Sequence, residues 1–573
     1  MTLLHKYRNK IATGCFIILF SLGGCTKLDE TLYDRITSEN FLQTREDVIR
    51  DFLRAFEHAY WSIQGQGLFF AQELPTDELM TPNRDGDWFN GGIYQRMHYH
   101  TWTNQDWYTS EIWIALFQGV SLATNSLEDI EAIADPAKFN VTEAEKADFI
   151  AELKTLRAWF NLRAFDLYRN IPLVTKVKGE SITPPQATPQ ETFNFIEKEL
   201  LQAIPGLPTR QSLGAHSIGR WTKAGAATLL ARLYLNAKVY IGQDKYAECA
   251  AICQKILNGE YGSYVLESRW DAPFDYTNSQ SPEVIFGFPS TLAQTHWHYD
   301  VGMYTGMAPH QASNFFGFTN FGNMNTRYAL QPGRNVDSVE YSFHLGKPFI
   351  KFQRYPDDFR LKKYKNLGNS KREGMFLYGY LPYYSDPNKL VKSNRGYTIF
   401  ARDQVGWFKD LPPGQILDDK QSDMNHADDN SGIWPAKYPI YPTGDANTIA
   451  SAYAEIRLAE VYYSLAECKY RAGDKAGAAM LLNEVRKRNY PAGSPSLYKT
   501  DGSQLTDNEM LDEWGREFLI EARRRTDMIR WGVFNTGTWW DKQADADNHT
   551  KIYPIGQSVL NLSPHLKQNP GYN

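Results

Sequence analysis

Two stretches far apart in the chain carry the same pattern, and this repetition limits the fold more than any other feature. In Trp221 to Asn258, residues Ala224, Ala227, Ala231, Tyr234 and Ala237 recur at helical spacing. A break follows at Ile241-Gly242-Gln243-Asp244, and Tyr246, Ala250, Cys253 and Leu257 then resume the spacing, closed by Asn258-Gly259. In Ala454 to Arg471 the apolar positions are Leu458, Val461, Tyr462 and Leu465. Ala472-Gly473-Asp474 interrupts, and Ala478, Ala479, Leu482 and Val485 continue to Arg488. Each stretch reads as a helical hairpin whose small residues let two helices approach closely. A hairpin of this kind cannot bury its apolar face alone, so further units must stack on it. The expected fold class is mainly α, a helical repeat scaffold.

More helices are expected around these two hairpins. Arg45 to Ser62 places Phe52, Ala55, Phe56 and Tyr60 on one face, and a helix starting near Tyr108 carries Ile112, Leu116 and Val120. Lys146 to Tyr168 is long and apolar along one side, and ends at Arg169-Asn170-Ile171-Pro172. Thr188, Pro189 and Glu191 form a helix start with a capping box. Asp507 is read as the cap of a helix reaching past Ile520. Arg516, Arg523, Arg524 and Arg525 with Glu517, Glu521 and Asp527 read as a charged helix-face network. The scaffold thus occupies mainly 39–62, 108–260 and 451–535.

Two regions lose the helical period. Residues 77–106 are dense in rings and turn formers, and residues 262–450 form a long insertion in which only Val284 to Phe288 reads as a strand. Aromatics make up 14% of the chain, with 34 Tyr and 15 Trp, more amphipathic rings than a core needs, so some are expected to grip a ligand. Rings beside carboxylates and amides suit a sugar: the ring stacks on its C–H face and polar groups pair with hydroxyls. The candidate ligand-binding residues are Trp88 and Asp77 in the first region, and Trp297, Tyr304, Phe315, Arg372 and Tyr397 in the second. Trp102, Trp107 and Trp113 are expected to pack.

Other chemistries are weighed on the same residues. Asp77, Glu78, Asp85 and Asp87 could supply the carboxylate pair of a glycosidase, although Asp in such a segment commonly serves turns. His98-x-His100 and His296-x-His298 lack a third ligand at a telling distance, so no metal is expected. Asn83-x-Asp85-x-Asp87 bears a weak likeness to a structural calcium loop, but Trp88 stands where Gly is wanted; no cofactor is implied. Of five cysteines, Cys15 lies in the leader and Cys25 at its end; Cys249, Cys253 and Cys468 read as buried apolar residues. A net charge of −5 offers no basic field for nucleic acid.

The N-terminus reads as an address. Lys6, Arg8 and Lys10 precede an apolar run from Ile11 to Leu22, too short to span a membrane. Leu22-Gly23-Gly24-Cys25 has the form of a bacterial lipoprotein cleavage site, with Cys25 the lipidated residue. Residues 1–24 are then a removed signal peptide and 25–573 a single domain, anchored to a membrane but not crossing it.

Five blocks carry a family resemblance. They are Leu156-Arg-Ala-Trp-Phe-Asn-Leu-Arg-Ala-Phe-Asp-Leu-Tyr-Arg-Asn-Ile-Pro; Gly219-Arg-Trp-Thr-Lys-Ala-Gly-Ala-Ala with Ala231-Arg-Leu-Tyr-Leu; Arg457-Leu-Ala-Glu-Val-Tyr-Tyr with Leu482-Asn-Glu-Val-Arg; Arg516-Glu-Phe with Glu521-Ala-Arg-Arg-Arg-Thr-Asp-Met-Ile-Arg-Trp-Gly; and Pro554-Ile with Gln568-Asn-Pro-Gly-Tyr. In this order they resemble the SusD/RagB family of outer-membrane nutrient-uptake lipoproteins, over nearly the whole mature chain. The resemblance implies a tetratricopeptide-like scaffold with ligand-binding insertions; the lipidation site and the ring-rich loops point to an oligosaccharide captured at the cell surface. The resemblance also implies a SusC-like TonB-dependent transporter as partner, and no catalytic residues. Thr26-Lys-Leu-Asp-Glu after Cys25 is similar to the surface-export signal of Bacteroidetes lipoproteins. A surface glycoside hydrolase, a peptide binder and a helical adaptor that binds only another protein are the alternatives.

Overall fold

The computed structural model describes residues 42–64, 67–179, 184–290, 307–317, 325–368, 371–415, 417, 419–440 and 451–572. Helix α1 (Arg45–Gln64) buries Phe52, Ala55, Phe56 and Tyr60, and Phe52 stacks on Phe149 at 4.5 Å. α2 (Trp107–Glu131) lies along α3 (Glu143–Tyr168), and Gly119 of α2 is what allows the approach. A Cβ at Gly119 would stand 2.1 Å from Phe160 Cε1. α3 starts one turn earlier than the apolar period suggests. Thr142 Oγ1 accepts from the Glu145 amide at 3.1 Å, and the Glu145 carboxylate accepts from the Thr142 amide at 2.9 Å. This box supplies partners for the first orphan amides and extends the helix into polar sequence.

α4 (Pro189–Ala203) begins at the expected Thr188–Glu191 box. The first hairpin is α5 (Lys223–Leu235) and α6 (Tyr246–Leu257), with Thr222 capping α5. The chain bends at Asn236 into a short helix, Ala237–Ile241, which ends at Gly242 with φ +70°. The second hairpin is α7 (Leu458–Arg471) and α8 (Lys475–Arg486), where Asp474 accepts from the Gly477 amide at 2.7 Å. Each of α2 to α8 packs on the next, and α6 lies directly against α7. The two helical stretches are therefore one continuous stack, and the residues between them leave and re-enter it at one point. The fold is mainly α, as a tetratricopeptide-like scaffold requires.

Two sequence readings change here. Tyr453–Arg457 is a strand, paired antiparallel with Val284–Phe288, so the helix begins at Leu458 and not at Ala454. The strand Val284–Phe288 is fully buried and supplies the partner that helical periodicity alone does not reveal. In the last part, Thr506, not Asp507, is the N-cap of α9 (Asp507–Phe518). α9 stops before Ile520, whose φ is +57°. α10 (Arg524–Arg530) follows.

The charged residues read as a helix-face network lie inside the protein. Arg457 is 1% exposed and donates to Glu521 at 2.7 and 2.9 Å and to Glu283 and Glu517 at 3.0 Å. Arg488 donates to Glu517 at 2.7 Å, and the Lys437 ammonium donates to the Glu517 carbonyl at 2.7 Å. Burial pushes the Glu517 carboxyl upward, but Arg488 and Arg457 outweigh it and hold it at about 2. Glu283 and Lys437 belong to the insertion and Arg457, Arg488 and Glu517 to the scaffold. The network therefore fixes the insertion's base rigidly to the stack, since losing one partner of a buried pair costs several kcal/mol.

Candidate functional site

The irregular regions come together on one face. Its first part is the turn 83–92. Gly86 donates its amide to Asn83 Oδ1 at 2.9 Å, and Arg84 and Asp87 exchange both backbone bonds at 2.9 Å. Asp85, Trp88 and Asn90 have φ of +51°, +64° and +43°. A bulky residue in this region is costly, roughly 1–3 kcal/mol each, and is retained when its surroundings force it. Here the force comes from Arg84, which is fully buried and donates to the Asp428 and Ser431 carbonyls at 2.6 and 2.8 Å. Trp88 is held half-buried: its indole N–H donates to the Asn325 carbonyl at 2.7 Å, and the Arg327 guanidinium lies 5.0 Å from its ring. Phe89, next in sequence, is 47% exposed.

The second part is an open cleft of about 600 Å³, within the range of small-ligand sites. Phe315 lines it from the short helix Ser313–Phe316, and Tyr378, Tyr383 and Tyr384 line it from the segment that follows strand Phe376–Leu377. Tyr384 is 51% exposed; its amide donates to the Asn314 carbonyl at 2.9 Å, and its ring lies beneath Gly317, where φ is +96°. Any Cβ at Gly317 would come within 3.0 Å of that ring. The floor is the hairpin β1 (Lys365–Gly368) and β2 (Lys371–Glu373). Among the described residues the strongly exposed rings are Phe89, Trp107, Phe359, Tyr380, Tyr384 and Trp407, and all but Trp107 lie outside the helical stack.

The same two segments join the parts. Loop 307–317 sends His310 toward Asp87, 3.9 Å away, and Phe315 into the cleft. Segment 378–396 supplies the cleft tyrosines and then Arg395, which donates to Asp87 at 3.3 Å and to the Asp85 carbonyl at 3.2 Å. Gln311 ties the two segments by donating to Asn394 at 3.0 Å.

The residues singled out from sequence divide accordingly. Trp88 and Phe315 stand on this face. Trp297 and Tyr304 lie outside the described residues, as do Cys25 and residues 1–24. Asp77, Arg372 and Tyr397 are corrected: each is buried with its polar atoms committed. Arg524 donates to Asp77 at 2.7 and 3.1 Å, and Gly346 and Lys351 at 3.0 and 3.4 Å. The cavity beside Asp77 and Glu78 is about 10 Å³, room for a single water at most and none for a sugar ring. Despite the upward push of burial, Arg524 and Lys351 hold the Asp77 carboxyl well below its usual range. Burial, with Asp77's charge adding and Arg524 opposing, raises Glu78 to about 8. The Arg372 guanidinium lies 4.7 Å over Trp270 and donates to the Ala436 and Lys437 carbonyls. The Tyr397 hydroxyl accepts from the Asp429 amide at 2.9 Å and supports the wall behind Arg395.

His98 and His100 are bound to Asp541 and Asp545 at 2.6 and 2.8 Å; burial lowers the His100 pKa to about 4. Among the described residues no group of three or more His, Cys, Asp or Glu is placed to hold a metal ion. Cys249, Cys253 and Cys468 are buried and free. Sequence reasoning does not single out Tyr383 and Tyr384 as site residues although the run Tyr378-Gly-Tyr-Leu-Pro-Tyr-Tyr is visible, and it misses Lys362-Lys363-Tyr364-Lys365, a basic run with a ring inside it.

Comparison with known proteins decides the family. Residues 415–572 match the model of the SusD family, and residues 71–235 match a second model described as starch-binding, associating with the outer membrane. The chain is 26% identical over 522 residues to the starch-binding protein SusD of Bacteroides thetaiotaomicron, covering 88% of this chain and 85% of that protein. The chain belongs to the SusD family. Its fold is shared with a surface glycan-binding protein A from Bacteroides uniformis, with a TM-score of 0.65 at 16% identity over 92% of this chain and 99% of that one. A laminarin-binding SusD-like protein superposes with a TM-score of 0.61 at 18% identity, over 93% and 100%. The two family models cover the scaffold of this SusD-family chain, α2–α5 and α7–α10. Neither reaches residues 236–414, the stretch that carries the cleft.

Proposed function

We propose that this protein is a non-catalytic saccharide-binding lipoprotein of the outer-membrane surface, held by lipid on Cys25, that passes its ligand to a SusC-like TonB-dependent transporter. The observation that carries the reading is the open cleft lined by Phe315, Tyr378, Tyr383 and Tyr384, beside the strained turn that holds Trp88 and Phe89. Flat rings at a half-open surface match the apolar faces of a sugar while leaving its hydroxyls in water or on nearby polar groups. The helical stack supports this by rigidity. Rings already fixed in place lose little entropy on binding, so shallow contact suffices for useful affinity. The family's association with the outer membrane fits a lipid-held body, and among the described residues no helix is long and apolar enough to cross a membrane.

Isothermal titration of the mature protein against neutral and acidic oligosaccharides and a peptide pool tests the ligand class. Saccharide binding that is lost in F315A/Y384A is the expected result; peptide binding with no saccharide binding would replace the proposal. Prolonged incubation with the bound saccharide should release no new reducing ends; their release would make the protein a hydrolase. Affinity capture from outer membranes should recover a large β-barrel transporter, and its absence would remove the delivery role.

A further inference from the structure

The cleft is not electrically neutral. Its floor and wall carry Lys362, Lys363 and Lys365 against one carboxylate, Glu373, and a fourth cation, Lys389, stands 4.5 Å over the ring of Tyr383. Asp386, next in sequence to the cleft residue Pro387, has its carboxylate engaged by the Asn388 amide at 3.0 Å. Glu373 is paired with Lys362. The Lys363 ammonium donates to the Tyr380 carbonyl, and burial lowers its pKa from the usual lysine range. Lys365 is exposed and opposite Glu373 in the β1–β2 register. The chain as a whole has net charge −5, so this positive excess runs against the global field. At physiological salt the screening length is about 8 Å, so a ligand seated among the tyrosines feels these lysines rather than distant acids.

Resting on the reading of the cleft as a saccharide site, we infer that it selects acidic saccharides, with ring carboxylates or sulfate esters placed on Lys362 and Lys365 while sugar faces lie on Tyr383, Tyr384 and Phe315. Lysine suits such a ligand because it is a compact charge on a flexible stem and tolerates different anion positions along a chain. Pairing with an anion is stronger than a neutral hydrogen bond, and a neutral sugar would leave the excess charge unused.

The test titrates the mature protein with oligogalacturonate (carboxylate), chondroitin sulfate oligosaccharide (sulfate and carboxylate), maltoheptaose and laminarihexaose, at 50 and 300 mM salt. Wild type should bind at least one acidic probe at least about tenfold more tightly than either neutral one, and that affinity should fall several-fold at the higher salt. K362E/K365E should lose about tenfold or more for the acidic probe with its unfolding midpoint kept, because both side chains are exposed. Y384A should weaken binding while leaving the salt dependence intact. Binding of a neutral probe equal to the acidic ones, or binding unchanged in K362E/K365E yet weakened in Y384A, overturns the inference and leaves the saccharide site standing. No binding to any of the four probes overturns both.

Discussion

Asp77 offers a sharp test of which carboxylates serve the scaffold. It is 1% exposed, and both its oxygens accept hydrogen bonds, from Arg524, Gly346 and Lys351. D77A would leave Arg524 and Lys351 buried with one anion fewer, and breaking a buried pair in this way costs about 3–5 kcal/mol. D77N is predicted to be milder, about 1–3 kcal/mol, since its amide oxygen still accepts. A second effect softens it further. Glu78 Oε1 lies 3.2 Å from Arg524 Nε, and Asp77's charge helps to keep Glu78 protonated up to about pH 8. Removing that charge takes away one of the causes that raise the Glu78 pKa, and so favours an ionised Glu78 as Arg524's partner. E78Q alone should therefore cost under about 1 kcal/mol at pH 7, and clearly more in the D77N background, a non-additivity expected of groups sharing one partner. Urea unfolding followed by tryptophan fluorescence reads all four proteins, with saccharide titration on each. A D77A protein with the wild-type midpoint and no saccharide binding would refute the reasoning and return Asp77 to the ligand.

Other expectations follow from the same geometry. W88A, F315A and Y384A should each weaken saccharide binding about tenfold, the equivalent of about 1.4 kcal/mol. Y384A, whose ring is exposed, should keep its unfolding midpoint near wild type, whereas W88A also loses the bond to the Asn325 carbonyl and should unfold at lower urea; calorimetry and urea curves check both. G119A should destabilise by at least about 1–3 kcal/mol without altering the cleft, because its Cβ would collide with Phe160 in the α2–α3 contact. Burial raises the Asp403 carboxyl from 3.8 to about 7, against the opposing Gly333 amide bond. The folded state thus holds a proton that the unfolded state releases near pH 4. The stability this provides is complete below about pH 4 and is lost as pH rises through about 7, on the order of 4 kcal/mol over the window. D403N should abolish that part of the pH dependence, measured by urea unfolding from pH 4 to pH 8.

Helices that bury one apolar face announce themselves through spacing, as α5 to α8 show, and the Thr188–Glu191 box locates a helix start. What escapes is decided by partners distant in sequence. Ala454 has helical neighbours and high helix propensity, yet Tyr453–Arg457 is a strand because Val284–Phe288 offers a ladder. Thr142 and Glu145 start α3 in polar sequence, where apolar period is silent. At the site, a ring's chemistry is legible but its surroundings are not. Trp88 and Tyr397 look alike in sequence, each beside Gly and Asp or Arg. One is held in a strained turn on the surface; the other is buried behind Arg395. Asp77 looks like a ligand group because nothing local shows that Arg524, almost 450 residues later, will claim it. The lysines of the cleft are easily overlooked because charge runs usually mark solvated faces, and only the fold places these among tyrosines.

Hydrogen exchange read by mass spectrometry, with and without a bound saccharide, tests most directly the claim that a rigid helical stack carries a ring-lined gripping face. Ligand should slow exchange in residues 83–92, 307–317 and 361–396, and leave α2 to α8 as protected as before. Slowed exchange confined to the helices of the stack, with those three segments unaffected, would contradict the account.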